Sequence, residues 1–153
     1  MKRFFPLLTL LMLLPSAGCN EIAIDKEPVV RLVFSGSVTN INGQPIPGLK
    51  VETYAVNWLT EDPSRELMSI GDPVLTDQAG VYRFDITTKP WRNVVFEVWD
   101  IDGPENGSFQ QPAQLWWYID YSKTHLEVGD DTWDFGTISF EVPRIILNDN
   151  NLD

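Results

Sequence analysis

The densest group of chemically useful side chains in this chain is Asp100-Ile101-Asp102-Gly103-Pro104-Glu105-Asn106. Calcium takes roughly six to eight oxygen ligands from carboxylates, amides and backbone carbonyls. Asp100, Asp102, Glu105 and Asn106 offer such oxygens at compact spacing, and Gly103 permits a sharp bend between them. Asp130, Asp131 or Asp134 could complete the shell from a second acidic loop. The full EF-hand loop is not present, because no acid stands at its last position. The same residues also suit a plain turn whose Asp and Asn side chains cap their own backbone. Both readings, calcium site and self-capping turn, stay open at this level.

The second group is aromatic. Six tryptophans occur in 153 residues: Trp58, Trp91, Trp99, Trp116, Trp117 and Trp133. Trp116 and Trp117 are neighbours on an extended stretch, so they point to opposite faces and at most one is core. The other, with Tyr118 or Tyr121, could form a flat platform for the apolar face of a sugar ring. Trp99 points away from Phe96 and Val98 and could join it. The alternative is that these rings fill the core, cover an edge strand or meet a partner protein.

Catalytic groups are sparse. His125 is the lone histidine and Cys19 the lone cysteine, so a metal site built from several imidazoles or thiolates is excluded. No Gly-x-Ser-x-Gly elbow and no glycine-rich phosphate loop is present. Two carboxylates in a cleft could hydrolyse a glycoside, but so many acids make that a default, not a signal. The expectation is a chain that is not an enzyme.

The elements that must position these groups are strands. Leu32, Phe34, Gly36 and Val38 alternate, Asn42-Gly43 suits a tight turn, and Pro45 and Pro47 should stop ladder pairing. Leu49, Val51 and Thr53 resume the alternation. Val74 to Ile86 reads as a hairpin, with an Asp-x-x-Gly turn at Asp77–Gly80 and Tyr82, Phe84 and Ile86 on one face. Between these units, Asp62 to Leu67 could start one helical turn. Val94, Phe96 and Val98 form the inward set of the next strand, followed by Leu115–Tyr121. The last long strand favours burial of Ile138, Phe140 and Val142, and Ile145–Leu147 adds a short edge piece. Seven or eight closely spaced strands and no long helix predict an all-β, single antiparallel β-sandwich of Greek-key type.

Two of these units together resemble a known family. Gly36-x-Val38-Thr39, Gly43-x-Pro45-Ile46-Pro47-Gly48-x-x-Val51 and Thr76-Asp77-x-x-Gly80-x-Tyr82-x-Phe84 are similar to the carboxypeptidase regulatory-like, or transthyretin-like, β-sandwich modules. The likeness covers roughly Val30 to Val98. It implies the fold and a supporting, spacing or binding role, since such modules mostly do not catalyse.

The start of the chain gives an address. Lys2 and Arg3 precede an apolar run from Phe4 to Leu14, then Pro15-Ser16-Ala17-Gly18-Cys19. That is the layout of a secretory signal, and the run is shorter than the ~20 apolar residues a spanning helix needs. Small residues ending at a cysteine resemble the bacterial lipoprotein signal, in which Cys19 becomes the acylated first residue. The expected organisation is a signal peptide at 1–18, an acylated cysteine and tether at 19–28, a sandwich at 29–147 and a frayed tail at 148–153. The membrane is then a partner through the lipid, at the cell envelope and the outer membrane.

The formal net charge is −11, and loss of Lys2 and Arg3 with the signal takes it to −13. So acidic a domain repels nucleic acid. Phe96, Asp100-Ile101-Asp102-Gly103, Asn106-Gly107 and Phe109 also resemble small lipoproteins encoded beside radical SAM enzymes in Bacteroidetes. That likeness implies a modifying radical SAM enzyme as a partner. The reading from sequence is a non-catalytic binding or structural module for a glycan or envelope protein. The alternatives are a calcium-stabilised adhesion or assembly module, with Ca2+ as its cofactor, and a carboxylate-based hydrolase.

Overall fold

The computed structural model describes residues 27–56, 67–105, 107–109, 112–122, 127–128 and 132–148. Cys19 and the signal, all of the tether but Glu27 and Pro28, the proposed turn at 62–66, Trp58, Asn106, His125, Asp130, Asp131 and most of the tail lie outside these residues.

The chain is all-β, built as two facing sheets. One contains β1 (Glu27–Asn40), β5 (Val81–Thr88), β8 (Glu127–Val128), β9 (Thr132–Glu141) and β10 (Ile145–Leu147). The other contains β2 (Lys50–Val56), β3 (Leu67–Ser69), β4 (Val74–Leu75), β6 (Asn93–Trp99) and β7 (Ala113–Tyr118). One 3-10 turn, Gly103–Glu105, follows β6. The described strands number ten, against the seven or eight expected, because β3 and β8 are too short to show alternation.

β1 is the centre of its sheet. It pairs antiparallel with β5 on one side, and with β9 and then β10 on the other, both in parallel. The sandwich is therefore mixed, not wholly antiparallel. The chain returns to β1 only after crossing the other sheet, and it arrives running in the same direction.

The inner faces follow the period-two pattern. Phe34, Tyr82, Phe84 and Phe96 are all buried and their rings interlock, with Phe34 edge-on to Phe96 at 5.2 Å and 87°. Val94, Phe96 and Val98 face inward as expected, and Ile145 and Leu147 are buried too. In β9 the alternation breaks. Val29 pairs with Asp134 but Arg31 with Thr137, so β9 carries an extra residue there, and Gly136 has φ +72°. This bulge brings both Phe135 and Ile138 onto the core. Strict alternation puts them on opposite faces.

The two turn units are corners between sheets. β4 pairs with β2 and β5 with β1, so Val74–Ile86 is not a hairpin. Asp77 closes its turn by accepting the N–H groups of Ala79 and Val81 on Oδ1, and Gly80 N–H bonds to its carbonyl. Pro45 makes an isolated bridge to Thr39, and β2 then leaves for the other sheet. Thr76 locks the crossing: its hydroxyl donates to Ile46 O and accepts from Leu49 N–H.

Candidate binding face

The register of β2, β6 and β7 sets one residue beside the next across the outer face of their sheet. Side chains alternate along each strand, so four rows face outward. Lys50 lies beside Trp99, Glu52 beside Glu97 and Gln114, Tyr54 beside Val95 and Trp116, and Asn93 beside Tyr118.

The polar row is tightly bonded. Gln114 Nε2 donates to Glu97 Oε1 at 2.6 Å, and Tyr54 donates its hydroxyl to Glu52 Oε2 at 2.9 Å. Lys50 Nζ is 3.1 Å from Glu52 Oε1 and 5.6 Å from the centroid of the Trp99 ring. Like charges directly opposite on paired strands repel; here separate donors hold Glu52 and Glu97. Burial first, then the bond to Glu52 and the charges of Glu52 and Glu97, push the Tyr54 phenol up to about 12. Tyr54 is a fixed donor at neutral pH.

The aromatic residues divide sharply. Trp116 and Tyr118 are 42% and 60% exposed, two residues apart on one face of β7. Trp117 points the opposite way and packs on the core. It is removed from the platform, as alternation requires of one of the pair. Trp99 is half-buried, with Lys50 over its ring. Tyr121 turns inward to meet Phe135 edge-to-face and donates its hydroxyl to Trp91 O. The open platform is thus Trp116 with Tyr118, and the Glu52–Glu97–Gln114 row beside it is what reading the sequence missed. Glu97 in the middle of Val-Val-Phe-Glu-Val was the available signal.

At the acidic loop, Asp100 and Asp102 come together. Burial raises the Asp100 pKa and the neighbouring Asp102 adds to the rise, while the Phe109 N–H, donating to Asp100 Oδ2 at 3.3 Å, opposes it. Glu105 is exposed on the 3-10 turn, and Asp134 sits within β9, accepting the Gly136 N–H. Among the described residues no three His, Cys, Asp or Glu side chains gather as a metal cage. Glu105 and Asp134 are not brought to the pair.

A carboxyl whose folded pKa is raised adds stability that is complete below its unfolded value and lost as pH climbs through the folded one. Asp100→Asn should therefore raise the melting temperature at pH 7, because it removes a carboxyl that burial and Asp102 disfavour in its charged form. The gain should vanish below about pH 4, where an unfolded Asp also holds its proton. Thermal melts of both proteins across pH check this.

No protein-family model matches the chain, and a search of curated proteins gave no match. Among solved structures it is similar to 3-chlorocatechol 1,2-dioxygenase from Rhodococcus opacus 1CP, at 11% identity and TM-score 0.41, over 78% of this chain and 60% of that one. Catechol 1,2-dioxygenase from Acinetobacter radioresistens gives 15% identity and TM-score 0.45, over 83% and 59%. The dioxygenase domain of a dioxygenase carbohydrate-binding protein fusion from Streptomyces sp. SirexAA-E gives 14% and 0.35, over 74% and 80%. The chain spans about 60% of the length of the first two. Likeness at this level carries no argument about activity.

Proposed function

We propose that this chain is a non-catalytic binding module of the cell envelope, lipid-anchored at Cys19, which takes a glycan on the outer face of β2, β6 and β7. The observation that carries the reading is the placement of exposed Trp116 and Tyr118 beside exposed Gln114 and half-buried Glu52, with Glu97 buried between these two. Aromatic faces stack on the apolar side of a sugar ring, and carboxylates and amides at the rim accept or donate to its hydroxyls. The hydrogen bonds that Gln114 and Tyr54 make to the two glutamates suit fixed acceptors better than a hydrolytic acid–base pair. Hydrolysis predicts turnover that Glu52→Gln or Glu97→Gln removes.

In affinity electrophoresis through a panel of neutral polysaccharides, Trp116→Ala and Tyr118→Ala are each expected to weaken retention at least tenfold. Their melting temperatures should stay within about 2 °C of wild type, as for exposed positions. Retention unchanged in both variants sinks the glycan reading and leaves a protein as the occupant of this face.

The pairing of Asp100 with Asp102 favours a second reading, a calcium-stabilised module, since a cation relieves the same repulsion a proton does. The melts proposed above, repeated in excess calcium and in chelator, separate the two. Calcium bound to the folded state raises apparent stability by about 2.7 kcal/mol at a hundredfold excess over Kd. Identical melts reduce the loop to a turn.

A further inference from the structure

Among the described residues no strand pairs with the outer edge of β5. Val38 N–H bonds to Gly80 O, directly opposite in the β1–β5 register, which marks the hydrogen-bonded pairs of that ladder. Alternation then turns Tyr82, Phe84 and Ile86 towards β1. The backbone groups of Val81, Arg83, Asp85 and Thr87 turn the other way. Val81 is satisfied there by Asp77, whose N–H bonds to its carbonyl and whose Oδ1 accepts its N–H. Arg83, Asp85 and Thr87 meet no strand on that side among the described residues. A groove of about 540 Å³ runs along them, bounded opposite by Ser69, Gly71 and Asp72.

An edge is usually blunted by like charges, which repel another copy. This edge carries opposite ones at a spacing of two. Arg83 forms no salt bridge with a described residue, and Asp85 takes the guanidinium of Arg31 at 2.7 Å. When two copies run antiparallel about a two-fold axis through Phe84, each Arg83 stands opposite the other copy's Asp85. Both such pairs are of the hydrogen-bonded kind. A shift by one residue either way along the ladder sets Arg83 against Arg83, or Asp85 against Asp85, and repels. The Asp77 turn ends pairing at Val81 on either side.

We infer that β5 is a self-complementary edge through which two copies of this chain join, Arg83 of each facing Asp85 of the other, into one continuous sheet. The contact is small and partly electrostatic, so the dimer is weak and loosens with salt.

Sedimentation velocity on the full chain in mild detergent, from about 1 to 200 µM, tests it. Wild type should show a monomer–dimer equilibrium, and Arg83→Asp, which sets like charges across the axis, should raise Kd at least tenfold. The double variant Arg83→Asp/Asp85→Arg should recover dimerisation. Because that variant places two arginines side by side in one copy, Arg83→Pro serves as a second probe: it removes an outward N–H, tolerated on an edge, and should also weaken association tenfold. A monomer at every concentration, or a dimer indifferent to both Arg83→Asp and Arg83→Pro, overturns the inference.

Discussion

Replacing Phe96 by alanine is expected to cost about 4 kcal/mol, measured by equilibrium urea unfolding. Phe96 is fully buried in the middle of β6 and is the ring on which the two sheets meet. It packs edge-on to Phe34 at 5.2 Å, and Tyr82 and Phe84 lie 6.1 and 6.3 Å away. All three partners belong to the opposite sheet. Truncation loses the transfer energy of the ring and leaves a cavity that strands on both sides cannot close, a combination worth roughly 3–5 kcal/mol for Phe→Ala. A loss under about 2 kcal/mol would mean that the sheets are joined elsewhere.

Gly80→Ala is expected to cost about 3 kcal/mol. Its φ is +68°, and a Cβ would lie 2.5 Å from Val38 O and 3.1 Å from both Ile46 N and Pro45 Cβ. The obstacle is mostly backbone, held by the bonds Val38 N–H makes to Gly80 O and Ile46 N–H makes to Val38 O. Left-handed backbone alone costs a non-glycine residue roughly 1–2 kcal/mol; displacing that backbone adds the rest. Gly43 provides the control. It has φ +77° but open space around the added carbon, so Gly43→Ala should lose only the smaller amount. Equal losses at the two positions would remove the steric argument.

What the sequence disclosed follows from these residues. Period two in Leu32–Val38 and Tyr82–Ile86 was enough to place the core, because each segment buries one face and a slip would expose it, whereas Val94–Val98 is buried on both faces. The glycines and prolines marked every corner. They did not say whether a corner closes a hairpin or carries the chain to the other sheet, since that choice is made by the partners of β2 and β5, far away in sequence. The bulge at Gly136 was silent for a related reason: one extra residue shifts a pattern without altering composition. The candidate face was half legible. Trp116 and Trp117 announced that one ring would be exposed, but not which. The row of Glu52, Glu97 and Gln114 exists only once three strands are in register. Of the acidic loop, proximity in sequence brought Asp100 and Asp102 together and left Glu105 on the surface.

The length of β1 has a mechanical meaning. A pull applied N-terminal to Glu27 would reach the domain through this strand, along its own axis. β1 is held over Glu27–Ser35 by β9, over Val30–Ser37 by β5 and over Val38–Asn40 by β10. A load on that end is therefore borne as shear, shared by ladders on both flanks at once, so that many hydrogen bonds must yield together. The strand that would receive such a pull is held by three others.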